Sequence, residues 1–88
     1  MYSVFLKSKA KKAFSSLSNG YAEKVKKAFE ILQYEPIPSK ELDVQKIKGS
    51  DKDYRIRIGA YRFLYHIFEE ERVVVILKIE RRSETTYK

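Results

Sequence analysis

The stretch YRIRIGAYRFLYHIF, residues 54–68, decides the fold of this chain. Its first five residues place arginine and isoleucine at alternating positions, which is typical of a β-strand with one buried face. Gly59-Ala60 then interrupts the alternation, and the aromatic, β-rich run over residues 61–68 predicts a second strand that pairs with the first through a hairpin. The β-branched run over residues 73–79 predicts a third strand, so this half of the chain is expected to form an antiparallel meander.

Upstream of this meander, the spacing of apolar residues changes from the period of a strand to that of a helix. Apolar residues recur three and four positions apart along two stretches, each with lysines on its other side, and each predicts an amphipathic helix. The short polar turn between them predicts an antiparallel helical hairpin. In chain order we predict a strand over residues 2–6, a helix over 8–17, a turn at Ser18-Asn19-Gly20, a helix over 21–32 that stops at Pro36 and Pro38, and a mixed polar connection over 39–48.

The predicted order is therefore strand, helix, helix and then the three-stranded meander. The apolar stripes of the two helices must cover one face of the sheet, which leaves the other face and the outer sides of the helices in water. This predicts an α+β fold in which a helical hairpin packs on one face of an antiparallel sheet. A chain of 88 residues suits one hydrophobic core, so we expect a single domain over residues 1–88.

The chain is strongly basic, with 19 lysines and arginines against 12 aspartates and glutamates and a formal net charge of +7. A charge of this size on so small a domain concentrates polyanions near the surface and speeds their encounter with it. It is also compatible with a charge that serves only solubility, and the position of the cationic side chains decides between the two. Because no apolar run approaches the length of a membrane span or a signal peptide, we expect a cytoplasmic protein without a membrane segment.

The composition disfavours chemistry based on metals, thiols or paired histidines. Cysteine is absent, which excludes disulfides, thiolate nucleophiles and cysteine-bound zinc. His66 is the only histidine, so a two-histidine acid–base mechanism is excluded, and we expect a structural or partly exposed role for this side chain. We interpret Glu69-Glu70-Glu71 as a solvated turn. We therefore expect no metal ion and no cofactor.

Arginines are the side chains that the predicted sheet can bring together. Residues two apart on a strand point to the same side. Arg55 and Arg57 therefore share one face, while Ile56 and Ile58 share the face that packs on the helices. Arg62 starts the next strand, where an antiparallel register can bring it beside Arg57.

Three more residues follow the third strand, namely Arg81, Arg82 and Tyr87. We expect all five arginines and this tyrosine to converge on one edge of the sheet. A single arginine on an exposed strand face is usually a solvated charge. Several arginines side by side repel one another and destabilise the fold unless an anion sits among them. Because the guanidinium fork binds phosphate through two hydrogen bonds, the cluster predicts a phosphate-binding site.

Together these segments resemble the RelE/ParE superfamily of toxins from bacterial and archaeal toxin–antitoxin pairs. The resemblance covers essentially the whole chain and rests on the order and spacing of several motifs. The segments that carry it are a lysine–glycine turn (KIKG, residues 46–49), a basic strand with a Gly-x-Tyr-Arg hairpin (YRIRIGAYRFLY, residues 54–65), a β-branched strand (VVV, residues 73–75) and an arginine pair before a tyrosine (ERRSETTY, residues 80–87).

The resemblance implies a RelE-like toxin that enters the ribosomal A site and cuts the mRNA there as a metal-independent endoribonuclease. Cleavage would proceed by attack of the RNA's own 2′-hydroxyl on the adjacent phosphate, and a RelB-like antitoxin would neutralise the toxin. The matching positions imply catalytic roles for Arg57, Arg62, Arg81 and Tyr87, and contacts with mRNA or ribosomal RNA from Arg55, Arg82, Lys46 and Lys48.

One departure from the family pattern affects the mechanism. Close RelE relatives carry lysines where this chain has Arg55 and Arg57, and a lysine is the suggested general base. Arginine stays protonated far above neutral pH, so these two side chains can stabilise negative charge but cannot readily accept a proton. The identity of the base therefore stays open. Three alternatives also stay open: a ParE-like toxin that inhibits DNA gyrase, an RNA- or ribosome-binding module without chemistry, and a toxin that has lost its activity.

Overall fold

The structure, a computed structural model, describes residues 1–81 of the chain. Within this range the backbone forms two helices and five strands. In chain order the elements are β1 (Ser3–Leu6), α1 (Ser8–Ser15), α2 (Asn19–Tyr34), β2 (Asp43–Lys46), β3 (Asp53–Ile58), β4 (Tyr61–Phe68) and β5 (Val73–Arg81). The predicted α+β fold is confirmed, with both helices packed on one face of the sheet.

The strands form one sheet in the order β1-β5-β4-β3-β2. The strands β3, β4 and β5 make the predicted antiparallel meander, with β4 at the centre of the sheet. The first strand pairs in parallel with β5, so that Phe5 lies beside Val75. The sheet is therefore mostly antiparallel, with one parallel pair at the β1 edge.

Two predictions about the connections are wrong. The segment 39–48, predicted to be a mixed polar connection, contains β2, which pairs antiparallel with β3. The strand is hard to recognise because it is only four residues long and Val44 is its only apolar residue. Asn19 and Gly20 belong to the first turn of α2 and do not end α1.

The helices and the sheet bury their apolar sides against each other. Helix α1 contributes Ala10, while α2 contributes Val25 and Leu32. The ring of Phe29 lies 6.0 Å from that of Phe63 in a T-shaped arrangement. Removal of these side chains from water is the main force that holds the helices on the sheet. The buried residues of the sheet are Ile56, Phe63, Tyr65, Ile67, Val74, Ile76 and Ile79.

Tyr65 connects the centre of the sheet to the segment that follows α2 through a hydrogen bond. Its side chain is fully buried, and its hydroxyl donates a hydrogen bond of 2.8 Å to the carbonyl oxygen of Pro36. Burial, with a smaller effect from the neighbouring Tyr54, raises the pKa of Tyr65 well above its usual value, because the phenolate loses its hydration.

The turn between β3 and β4 requires glycine. Gly59 has a φ of 58°, a left-handed conformation that other residues adopt at a cost. A Cβ atom at this position would lie 2.7 Å from the hydroxyl oxygen of Tyr21. That hydroxyl accepts a hydrogen bond of 3.3 Å from the backbone N–H of Ala60, and the Tyr21 ring packs edge-on against Tyr61 at 4.8 Å. Helix α2 therefore fixes the hairpin that brings the arginines of β3 and β4 together.

Candidate functional site

The helices cover one face of the sheet and leave the other uncovered. This uncovered face, the open face, carries a row of four charged side chains. Asp43 of β2 lies opposite Arg57 of β3. Arg57 in turn lies opposite Arg62 of β4, and Arg62 lies opposite Glu80 of β5. Directly opposed residues point to the same side of a sheet, and the buried Ile56 shows that the helices cover the other side. The structure therefore places Arg57 beside Arg62 on the uncovered face, as the sequence predicts.

The edge strand β2 supplies hydrogen-bond acceptors for two of the arginines. Arg57 Nε donates to Asp43 Oδ2 at 3.1 Å, and Arg55 Nη2 donates to Gln45 Oε1 at 2.6 Å. The Arg57 and Asp43 side chains are both about half exposed, so their ion pair is expected to contribute only about 0.2–1 kcal/mol to stability. Its larger effect is to orient the guanidinium group over the open face.

These side chains enclose a cleft of about 170 Å³, the arginine cleft, lined by Asp43, Gln45, Arg55, Arg57 and Arg62. Three guanidinium groups against one carboxylate leave it with a net positive charge. Arg62 Nε is shielded from solvent and has no hydrogen-bond acceptor among residues 1–81. A shielded donor without an acceptor costs about 1–3 kcal/mol. An anion in the cleft would contact the part of the Arg62 guanidinium group that lines it.

The prediction that Arg81 converges with these arginines is wrong. The pairing of β4 with β5 puts Glu80 beside Arg62, and it puts Arg81 beside Tyr61. Because successive residues of a strand point to opposite sides, Arg81 falls on the same side as Ile79, which is buried against the helices. Its position after the third strand is visible in the sequence, whereas the side to which it points depends on the strand register.

The remaining predicted site residues lie outside the arginine cleft or outside the described range. Lys46 lies opposite Tyr54 at the end of β2, on the side of the sheet that faces the helices. Lys48 lies in the turn between β2 and β3. Arg82 and Tyr87 lie outside the described residues. The structure thus brings together Arg55, Arg57 and Arg62.

Asp43 and Gln45 are site residues that the sequence analysis missed. They alternate with Val44, whose side is covered by the core, and this alternation is the one local indication that they share a face. The indication is weak because four residues show too little of a period to identify a strand. Their role becomes visible only through the pairing of β2 with β3.

A second polar group lies on the same face, two residues from Arg55 along β3 and four residues from Arg62 along β4. Asp53 lies opposite His66, and Asp53 Oδ1 is 2.6 Å from His66 Nδ1. The hydroxyl of Ser50 donates to Asp53 Oδ2 at 2.8 Å. The hydrogen bond to His66, followed by that from Ser50, lowers the pKa of Asp53 below its ordinary value of 3.8. The histidine is about 30% exposed, in agreement with the predicted partly exposed role.

The described residues contain no group of three or more His, Asp or Glu side chains arranged to hold a metal ion. Neither helix in residues 1–81 is both long and apolar enough to cross a bilayer. The chemical capacity of the open face therefore lies in its guanidinium groups and in the Asp53–His66 pair.

Comparison with known proteins identifies the family. Residues 4–86 match the family model described as the ParE toxin of the type II toxin–antitoxin system parDE. A Methanocaldococcus jannaschii protein named "Putative toxin RelE1" is 36% identical over 82 residues, which cover 93% of this chain and 91% of the relative.

Solved structures agree with this assignment. The fold matches a chain of the archaeal RelE–RelB complex from Pyrococcus horikoshii with a TM-score of 0.85 and 33% identity, over 94% of this chain and 97% of that one. It matches a chain of the toxin–antitoxin complex RelBE2 from Mycobacterium tuberculosis with a TM-score of 0.76 and 27% identity, over 94% and 93% of the two chains. The chain therefore belongs to the RelE/ParE superfamily and is a RelE-like toxin of a type II toxin–antitoxin system.

Proposed function

We propose that this toxin is an endoribonuclease that cuts mRNA in the ribosomal A site, in the cytoplasm and without a metal ion. The observation that carries the proposal is the environment of Arg62. Arg62 lies beside Arg57 and lines the cleft with it, and Glu80, which lies opposite Arg62, pairs with Lys78 instead. Two guanidinium groups directly opposite each other repel, and a phosphate between them would turn this repulsion into two charge-assisted contacts.

The proposed reaction is attack of the RNA's 2′-oxygen on the adjacent phosphorus. A bond forms between the 2′-oxygen and phosphorus while the bond to the 5′-oxygen breaks. The 2′-hydroxyl loses a proton and the departing 5′-oxygen gains one, which leaves a 2′,3′-cyclic phosphate and a 5′-hydroxyl. Arg57 and Arg62 would stabilise the negative charge that builds up on the equatorial oxygens, where one well-placed donor is worth about 3–4 kcal/mol. Arg55, which Gln45 holds in place, would bind a neighbouring phosphate.

The proton of the 2′-hydroxyl must go to a group other than these arginines, because a guanidinium stays protonated at neutral pH. The ribosome would hold the mRNA in line for attack, and such positioning can be worth several kcal/mol. The proposal keeps Tyr87 as a residue that stacks on a base or relays a proton, and Arg82, Lys46 and Lys48 as contacts with RNA. Arg81 falls on the other side of the sheet, so its loss should matter less than the loss of Arg62.

The proposed partner that neutralises the toxin is a RelB-like antitoxin. The relative from Pyrococcus horikoshii was crystallised as a complex with RelB. The net charge of +7 favours an acidic partner, and an amphipathic segment that orders on binding would cover both the cationic open face and the helical hairpin.

Primer extension on translating ribosomes tests the proposal. The wild-type toxin is compared with Arg62→Ala, Arg57→Ala and Arg81→Ala, and with Lys26→Ala as a control that removes one exposed positive charge from α2. We expect Arg62→Ala to slow cleavage by about 100-fold or more, because one oriented donor in a reaction centre has an effect of that size. The Lys26 variant should cut at the wild-type rate. Equal cutting by the wild type and Arg62→Ala would refute the proposed role of the arginine cleft.

Inhibition of DNA gyrase is the second candidate, because the matching family model carries the description of a ParE toxin. It predicts loss of supercoiling by purified gyrase in the presence of the toxin, with no effect of Arg62→Ala. A module that binds RNA without chemistry predicts binding that weakens steeply with salt and leaves RNA length unchanged.

A further inference from the structure

The open face continues beyond the arginine cleft along β4. Its residues on this side are, in order, Arg62, Leu64, His66 and Phe68. Phe68, the last residue of β4, is 43% exposed. An exposed aromatic side chain in line with a cluster of arginines suggests that the arginine cleft is one part of a longer binding surface.

His66 and Phe68 form a continuous aromatic surface. Their ring centroids are 4.5 Å apart, with an angle of 54° between the ring planes. On the other side of the His66 ring, Nδ1 contacts Asp53 Oδ1, and Ser50 holds the second carboxylate oxygen. This arrangement fixes the orientation of the imidazole and directs Nε2 away from Asp53.

The aromatic surface lies within one nucleotide's reach of the arginine cleft. Arg55 lies opposite Leu64, so His66 is its diagonal neighbour across the β3–β4 pair. Diagonal neighbours in an antiparallel pair are separated by about 7–8 Å. A phosphate held by Arg55 would therefore allow the base of an adjacent nucleotide to lie over His66 and Phe68.

We propose that His66 and Phe68 form a subsite for a nucleobase of single-stranded RNA, next to the phosphate bound in the arginine cleft. Every nucleobase has a flat face that stacks on aromatic rings, and the ring nitrogen Nε2 of His66 can exchange a hydrogen bond with a base edge. Asp53 is a positioning residue, since it acts by holding the imidazole. The proposal rests on the proposed function, because it takes the ligand of the arginine cleft to be RNA.

The charge of the surroundings favours RNA over an apolar protein segment as the occupant. His66 lies between Asp53 on β3 and Val75 on β5, and Glu69, which follows Phe68, pairs with Lys52. Between the subsite and the arginine cleft, two cations lie opposite Leu64, namely Arg55 on β3 and Lys78 on β5. A nucleotide offers a phosphate for the arginine and a ring for the aromatic surface at the same time. An apolar peptide side chain would use only the rings.

Binding of two uncleavable probes tests the subsite. One probe is a fluorescently labelled 2′-O-methyl RNA trinucleotide, and the other is its abasic counterpart, which has the same phosphates and no bases. Fluorescence anisotropy at low salt gives Kd for the full-length protein and its variants. For the wild type we expect tighter binding of the probe that carries bases, because each stacked base adds about 1–3 kcal/mol, or roughly 5- to 150-fold in Kd.

The variants separate stacking from phosphate binding. Phe68→Ala and His66→Ala should weaken binding of the trinucleotide by about 5-fold or more and leave binding of the abasic probe unchanged. Tyr34→Ala is the matched control, since Tyr34 is 71% exposed at the end of α2, on the other side of the sheet, and it should bind both probes like the wild type. Asp53→Ala should reduce the preference for the trinucleotide without a change for the abasic probe.

The outcomes distinguish this inference from the proposed function. If the Phe68 and His66 variants bind the trinucleotide like the wild type, or lose both probes equally, the subsite is refuted. Loss of both probes in Arg62→Ala together with an unaltered preference in Phe68→Ala would support the arginine cleft and refute the subsite alone. Failure of the wild type to bind either probe would refute the subsite, whereas the proposed function is refuted only by primer extension on ribosomes that shows no cleavage or no effect of Arg62→Ala.

Discussion

Replacement of Arg62 by methionine should make the protein more stable while it removes binding of anions. Methionine keeps an unbranched, apolar stem at this position and removes the guanidinium group, whose Nε is shielded without an acceptor in residues 1–81. Relief of the unpaired donor is worth about 1–3 kcal/mol, and relief of the repulsion from Arg57 directly opposite is worth about 0.2–1 kcal/mol. Glu80 keeps its ion pair with Lys78 at 2.9 Å.

The net gain should be smaller than the sum of these values, because Arg62 is only half-buried and solvent screens part of its charge. We expect the free energy of unfolding to rise by about 1–2 kcal/mol. For a domain of this size, each kcal/mol raises Tm by roughly 4–8 °C. Urea unfolding followed by circular dichroism measures the change. Arg55→Met is the control, since it loses the 2.6 Å bond to Gln45 and should give no gain.

Salt and phosphate provide the second part of this test. Raising the sodium chloride concentration should reduce the part of the gain that comes from charge repulsion, because it shortens the Debye length. Inorganic phosphate should stabilise the wild type more than the methionine variant, since a ligand stabilises the state that binds it. An Arg62→Met protein that is no more stable than the wild type at low salt would show that the arginine cleft is not strained by its own charges.

Three further predictions concern the turn, the buried tyrosine and the Asp53–His66 pair. Gly59→Ala should lower the free energy of unfolding, measured by urea titration, by more than about 1 kcal/mol, because Gly59 has a positive φ and lies against the Tyr21 hydroxyl. Gly20 has open space around it in α2, so Gly20→Ala should be neutral or slightly stabilising in the same titration. Tyr65→Phe should lower the free energy of unfolding by about 1–2 kcal/mol at neutral pH, because it removes the hydrogen bond to Pro36. The folded-state pKa of Tyr65 is raised, so the wild type should lose its extra stability over Tyr65→Phe as the pH rises above about 10. The pKa of Asp53 is lowered in the folded state, so the ionised carboxylate stabilises the fold above about pH 4, and this stabilisation is lost as the pH falls further. The difference in free energy of unfolding between the wild type and Asp53→Asn should therefore shrink in unfolding titrations from pH 6 to pH 2.

The sequence predicts most of the fold because its elements have clear periods. The alternation over residues 54–58 and the helical spacing over residues 21–32 each correspond to one element of the structure. The strand β2 could not be predicted in this way, because its four residues include a single apolar side chain, Val44, and are too few to show a period. The parallel pairing of β1 with β5 depends in the same way on contacts between distant parts of the chain.

The functional site was partly predictable for the same physical reason. Arg55 and Arg57 lie on one strand, so the period of two fixes their common face, and a short hairpin brings Arg62 beside them. For Arg81, one residue of register decides between the two faces of the sheet, and the sequence does not contain that register. Asp53 and His66 lie on β3 and β4, and the register of these two strands depends on the turn at Gly59. Their contact was therefore recognised only in the structure.

The order in which the proposed RNA phosphate would contact the three arginines follows from the present partners of these side chains. Arg55 and Arg57 already donate to Gln45 and Asp43, and a phosphate must replace or share those bonds. Glu80 lies opposite Arg62 but pairs with Lys78, so a phosphate contact with the Arg62 guanidinium group would replace no ion pair among the described residues. Because the exposed Arg57–Asp43 pair is worth less than about 1 kcal/mol, a phosphate held by Arg62 can draw Arg57 from the carboxylate at little cost. The arginine cleft thus combines an anchor without an ion pair among the described residues, Arg62, with a side chain that a weak ion pair keeps aligned until the anion arrives.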